Sequence, residues 1–150
     1  MSSQAIIRPP IFSDFAQWQH LWGSYNCFYE RNAFPLAITE LTWSRFFDTT
    51  EPMHALVAEQ NGKLLGFAHY LFHRSTSRVE LTCYLQDLLV SATTRGQGIG
   101  RQLIHAVYEE AKLAGSTRVY WQTQEHNKIA RKLYDNVAES SGFVVYSKQV

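Results

Sequence analysis

Asn61-Gly62 restricts the fold of this chain more than any other pair of residues. Asn and Gly tolerate the positive φ angles of a two-residue type I′ turn, and apolar, β-prone runs flank the pair at residues 53–60 and 63–72. An antiparallel hairpin is therefore expected in the middle of the chain. Residues 80–90 are a further strand candidate, ending in the apolar run Leu88-Leu89-Val90, so three consecutive antiparallel strands are expected.

On both sides of this block the apolar period becomes helical. Phe15, Trp18, Leu21, Trp22, Tyr25, Phe28 and Tyr29 follow a Ser13-Asp14 cap and form one broad aromatic face. That face reads first as core packing, with one end free to line a cleft. A shorter helix is expected over residues 39–47. Downstream, Leu103, Ile104, Val107, Ala111 and Ala114 make a stripe closed by Gly115. Residues 118–123 read as a strand, and Ile129, Ala130, Leu133, Tyr134 and Val137 mark another helix. A short piece at 5–8, closed by Pro9-Pro10, reads as an edge strand, and 142–146 as a last strand. The order β-α-α-β-β-β-α-β-α-β predicts an α/β fold with a mixed, mostly antiparallel central sheet flanked by helices. The 150 residues contain no repeat, low-complexity tract or charge block, so residues 1–150 read as a single domain.

Charge and cysteine usage narrow the function. Lys and Arg number 14 against 13 Asp and Glu, a net +1, which argues against a dedicated polyanion binder and leaves room for one basic pocket. No nucleic-acid partner is expected. Cys27 and Cys83 form no CxxC pair, and His69 and His73 lie four apart in a strand, a spacing that does not bring both rings to one ion. No metal is expected. The opening MSSQAIIRPP lacks the basic-then-apolar pattern of a signal peptide, and no apolar run approaches the roughly 20 residues needed to span a bilayer. The expectation is a cytoplasmic protein with reduced thiols and no membrane partner.

The densest chemical signal is Arg95-Gly96-Gln97-Gly98-Ile99-Gly100-Arg101, between the strand ending at Val90 and the next helix. Alternating glycines let backbone N–H groups approach a ligand closely. A helix start adds unpaired donors and the positive end of its dipole, so a phosphate or pyrophosphate fits there, with charge from Arg95 and Arg101. The plainer reading is a tight turn that needs glycine for its geometry alone. A dinucleotide fingerprint fails at Arg101, where its third glycine belongs, and no P-loop, GxSxG elbow or HExxH is present.

On these residues the chain resembles the GCN5-related N-acetyltransferases. Their pattern is a strand, R/Q-x-x-G-x-G/A opening a helix, a second strand, then Asn with Tyr seven residues on. Arg95-Gly96-Gln97-Gly98-Ile99-Gly100 matches the first part, Asn127 and Tyr134 match the second, and the element order agrees. The size and the run Tyr84-Leu85-Gln86-Asp87-Leu88-Leu89-Val90 look most like the small members acting on polyamines, amino acids or lysine analogues.

The resemblance implies acetyl-CoA as cosubstrate, with its pyrophosphate on the amides of Gly96, Gln97, Gly98, Ile99, Gly100 and Arg101 beside Arg95. Its pantetheine arm would pair with the backbone of Leu88, Leu89 and Val90, in a gap where that strand and the one at 118–123 splay apart. Asn127 would bind the pantetheine side and Tyr134 would reach the sulfur and protonate the departing thiolate; the helix face of Tyr134 also fits ordinary core packing. Gln86-Asp87 stands where the polyamine-type members carry a Glu-Asp pair, which makes Asp87 the first candidate base, ahead of Glu125, Glu30 and Glu80. A structural carboxylate is the other reading of Asp87. The family generally ends in two strands, whereas one follows Val137 here, and an exposed edge favours a homodimer. The expected function is acetyl transfer to a primary amine of a small molecule, a polyamine or amino acid, by direct attack in a ternary complex. Acetylation of a protein lysine or N-terminus is one alternative. A non-catalytic acetyl-CoA-binding regulatory module is another, disfavoured because Asn127 and Tyr134 are both present.

Overall fold

Asn61 and Gly62 take φ angles of +53° and +78° and join β2 (Met53–Gln60) to β3 (Lys63–His73), closing the expected hairpin with Gln60 opposite Lys63. The computed structural model describes residues 4–150. β4 (Thr82–Val90) continues the meander antiparallel to β3, and β1 (Ile6–Arg8) pairs antiparallel with β2 as an edge strand. β5 (Arg118–Tyr120) joins β4 in parallel, giving one mixed sheet in the order β1-β2-β3-β4-β5.

Strand alternation distributes the core between two faces. Leu56, Ala58, Leu65, Ala68, Tyr70, Cys83 and Leu85 pack with Ile99, Leu103, Ile104, Val107 and Ala111 of α3 (Ile99–Leu113). α4 (Lys128–Val137) covers the rim of this layer with Leu133, Tyr134 and Val137. On the opposite face Val57, Leu64 and Phe67 meet Trp18, Leu21, Trp22 and Tyr25 of α1 (Phe15–Phe28) and Trp43 of α2 (Leu36–Arg45). The aromatic stripe of α1 is thus mostly core, while Phe28 is exposed and Tyr29, just past the helix, is half-buried. α2 starts three residues before the expected 39 because Pro35, extended at the N-cap, sets the chain's entry into the helix.

Asp14 is the N-cap of α1 by position, but its carboxylate makes no cap bond and turns back toward β1. Arg8 donates to both its oxygens at 2.8 and 3.0 Å and to Glu59 Oε2 at 2.8 Å, and the Ile11 N–H donates to Asp14 Oδ2 at 2.8 Å. The Arg8 guanidinium holds the Asp14 carboxyl below its usual range, and the cluster pins the Pro9-Pro10 turn to the sheet.

Two strand expectations are corrected. β5 ends at Tyr120 rather than 123, because it diverges from β4 after three paired residues. Residues 142–146, expected as a last strand, form no ladder: Phe143, Val144, Val145 and Tyr146 are between 66% and 93% exposed. Their alternating apolar pattern expresses β-propensity, which needs a partner strand that this chain alone does not present to them.

Gly66 sets how closely β3 approaches β4. A Cβ there would stand 2.4 Å from the Leu89 carbonyl oxygen and 3.3 Å from Val90 Cα, so the strands would have to part. Gly66→Ala is expected to cost about 1–3 kcal/mol of stability. The check is a lower urea midpoint at unchanged m-value. A midpoint equal to wild type would contradict the close approach.

Candidate active site

β4 is paired with β3 from Thr82 to Val90 but with β5 only where Thr82, Cys83 and Tyr84 face Arg118, Val119 and Tyr120. Among the described residues, the β5-side edge of β4 has no neighbouring strand beyond Tyr84. Every second N–H and C=O of residues 85–90 therefore faces an open notch, an edge able to pair with an extended ligand. The ladder with β3 also slips by one residue: His69 faces Asp87 and Tyr70 faces Leu85, so Gln86 is the extra residue of a β-bulge. Bulges bend a strand and re-aim the side chains beside them, here Gln86 and Asp87.

The notch leads to the glycine turn. Gly96 and Gly98 have φ of +80° and +81°, and Gly98 is the N-cap of α3. At both positions the backbone angle, rather than crowding, calls for glycine, since an added Cβ would meet nothing within 4 Å. The Gly98 carbonyl accepts from the Gln102 N–H at 3.0 Å, while the amides of residues 96–101 bond to no carbonyl among the described residues. Arg95 and Arg101 are exposed at the two ends of this cradle, and Ile99 contributes its backbone there while its side chain is buried in the core. Gly100 plays a different part: a Cβ there would lie 3.2 Å from Leu133 Cδ2, so its bareness lets α4 sit on the start of α3.

α4 carries the remaining pair. Asn127 is its N-cap, with Oδ1 accepting from the Ala130 N–H at 3.4 Å. It also lines a cleft of about 580 Å³ between the end of α1, at Phe28, Tyr29 and Glu30, and residues 124–129. Tyr134 packs against the α3-side core, edge-on to Trp121 at 5.4 Å. Burial, with Tyr29 nearby, pushes its hydroxyl up to about 12, so it holds its proton at neutral pH.

A second cleft, of about 190 Å³, opens between the first two helices and the β3–β4 edge, walled by Trp22, Phe34, Phe46, His69, Gln86 and Asp87. Asp87 Oδ2 lies 3.0 Å from His69 Nδ1, and His69 Nε2 lies 3.0 Å from Trp18 Nε1. An indole N–H can only donate, so Nε2 is the acceptor and the proton sits on Nδ1, pointing at Asp87. His69 is 4% exposed, stacked on Phe67 at 4.3 Å and flanked by Phe46 and Trp22. The Tyr25 hydroxyl is pushed upward by burial and by the Asp87 charge beside it.

The sequence relates His69 only to His73, and the two rings have separate partners in the structure. His73 bonds the Arg74 carbonyl and the Tyr120 hydroxyl instead. The sequence signal for His69 was a titratable ring inside an otherwise apolar strand. Of the other acidic candidates, Glu30 stands on the larger cleft, whereas Glu80 and Glu125 are exposed loop residues.

Residues 15–138 match the acetyltransferase (GNAT) family. The chain belongs to this family. It is 36% identical over 137 residues, covering 90% of this chain and 84% of its relative, to the D-amino-acid N-acetyltransferase HPA3 of Saccharomyces cerevisiae. It is 34% identical over 96 residues, covering 59% and 56% of the two chains, to the thialysine N-epsilon-acetyltransferase of Bos taurus. Its fold matches that of AAC(6')-Iy in complex with the bisubstrate analogue CoA-S-monomethyl-acetylneamine, with TM-score 0.81, 19% identity and 99% of each chain covered. The protein is an N-acetyltransferase of the GNAT type, with the expected mixed sheet flanked by helices.

The Trp18–His69–Asp87 chain makes a definite statement about one proton. Nitrogen-resolved NMR at pH 7 should show His69 protonated at Nδ1 and bare at Nε2, and Trp18→Phe should leave the proton on Nδ1, where the Asp87 carboxylate accepts it, while shifting the Nε2 signal as its donor is lost. A wild-type ring with its proton on Nε2 would contradict the assigned direction of both bonds.

Proposed function

We propose that this enzyme transfers the acetyl group of acetyl-CoA to a primary amine of a small molecule, a polyamine or amino acid, by direct attack with both substrates bound. The observation that carries this reading is the notch beside β4, an open strand edge leading into the unpaired amides of residues 96–101. Its residues fit the donor: Leu88, Leu89 and Val90 offer backbone partners to an extended pantetheine arm. Gly96, Gln97, Gly98, Ile99, Gly100 and Arg101 offer amides to a pyrophosphate, with Arg95 and Arg101 adding charge. Asn127 spends its Oδ1 on the helix cap and has its amide NH₂ for the pantetheine side. The relatives named for D-amino-acid and thialysine acetylation support a small acceptor.

Bound in the notch, acetyl-CoA supplies a thioester carbonyl open to attack by an amine. An amine with a pKa near 10.4 is almost wholly protonated at pH 7, a deficit of roughly 4.6 kcal/mol. Asp87, steadied by the His69 N–H at one oxygen, accepts that proton directly or through a water, since the amide of Gln86 cannot. Tyr134, whose raised pKa keeps it protonated, donates its proton to the leaving sulfur. One proton leaves the amine and one reaches the thiol, so the exchange balances. We place the enzyme in the cytoplasm as a homodimer, in which the exposed residues 143–146 find their missing strand partner on a second copy. No helix among the described residues is long and apolar enough to cross a membrane.

Thiol release with a panel of amines tests the activity, and two substitutions test the roles. Asp87→Asn should lower the rate at pH 7 and recover part of it at about pH 9.5, where more of the amine is already neutral. An unaltered pH–rate profile would remove Asp87 from the role. Tyr134→Phe should lower kcat about 10²–10⁴-fold with little change in KM for acetyl-CoA, because its proton is needed only as the sulfur departs. With a pKa of about 12, Tyr134 itself should produce no alkaline limb below that value. A wild-type single-turnover rate in this variant would leave Tyr134 as a packing residue.

A further inference from the structure

We infer that Arg31 binds the carboxylate of the acceptor, so that the amine acetylated here belongs to an amino acid rather than to a polyamine. The inference rests on the transferase reading above and names the substrate class of the same site. Arg31 follows α1 in a turn whose residues Glu30 and Ala33 both have positive φ, +58° and +55°. Its N–H is tied back to the Asn26 carbonyl at 2.8 Å. The guanidinium stands 5.7 Å from the Tyr25 ring and 5.3 Å from the Tyr29 ring, an arrangement that steadies a cation without neutralising it. Arg8, by contrast, is engaged by two carboxylates, whereas no carboxylate lies within ion-pair distance of Arg31 among the described residues.

Arg31 lines the same 190 Å³ cleft as Gln86 and Asp87. The buried Tyr25 hydroxyl lies within electrostatic reach of both Asp87 and Arg31, so an anionic and a cationic group act on the same phenol. Trp22 is another wall residue, and its buried indole N–H has no partner among the described residues. A zwitterion satisfies this set: its ammonium goes toward Asp87 and its carboxylate to the Arg31 fork. The side chain then rests on Phe34 and Phe46. A polyamine would bring a second ammonium toward the guanidinium, and like charges repel.

The test compares acceptors that differ only by the carboxylate: phenylalanine in both enantiomers against 2-phenylethylamine, and leucine against 3-methylbutylamine, with spermidine as the polyamine. Wild type should favour at least one enantiomer of each amino acid over its decarboxylated partner by about 10–100-fold in kcat/KM, the range of a charged hydrogen-bonded contact. Arg31→Met should bring that ratio close to one, and Arg31→Lys should restore part of it. Binding is read separately through tryptophan fluorescence with free CoA present, where Arg31→Met should weaken phenylalanine by the same factor. Equal use of amino acid and amine by wild type, preference for spermidine, or an unchanged ratio in Arg31→Met would overturn the carboxylate clamp and leave the transferase reading standing. Phenylalanine bound in an Arg31-dependent way without thiol release from any amine would support the clamp and sink the transfer. Neither binding nor turnover of any amino acid would overturn the clamp.

Discussion

Everything at this site depends on β4 being held along one edge and released along the other. Pairing with β3 over its whole length, tightened at Gly66, makes it a fixed rail. Parting from β5 after Tyr84 leaves the other edge bare where a sheet would normally continue. An unpaired edge is ordinarily a liability, and this one is confined within the fold by α3 and α4 rather than presented at the rim of the sheet. The same departure shortens β5 to three residues and opens the space that leads to the glycine turn.

The acceptor side is built on a different principle. Trp18, His69 and Asp87 form a polar thread through a layer of rings, and a buried polar group is tolerable there only because each has its partner. The low-dielectric surroundings that make such bonds strong also make them directional. Trp18 can only donate and the Asp87 carboxylate can only accept, so the histidine proton is directed from both ends. A carboxylate on an interior strand is in this way tied, through His69, to an indole in the first helix.

The parts legible in the sequence are those that local chemistry decides. Asn61-Gly62 encodes its turn in two residues, the glycines at 96 and 98 encode backbone angles, and the α1 stripe encodes a buried face. The illegible parts depend on what lies across the sheet. The bulge at Gln86 exists only relative to the β3 ladder, and the partnership of His69 with Asp87 only once that ladder sets them opposite. Gly100 shows the limit well: it looks like one more member of a ligand-binding turn, yet its bareness serves the contact with Leu133. Residues 142–146 mislead for the converse reason, since their pattern is that of a strand and a strand needs an edge to join.

The cradle and the smaller cleft are furnished by different stretches of chain. The open edge, the glycine turn and α4 all come from the C-terminal half, whereas one side of the cleft comes from α1, α2 and the turn between them and the other from β2, β3 and β4. β4 is the shared boundary, its backbone serving the cradle and its Gln86 and Asp87 side chains the cleft. Such a division lets selection rework the early helices while the later elements stay under constraint. Descendants of one ancestor could then diverge in diet without relearning their chemistry.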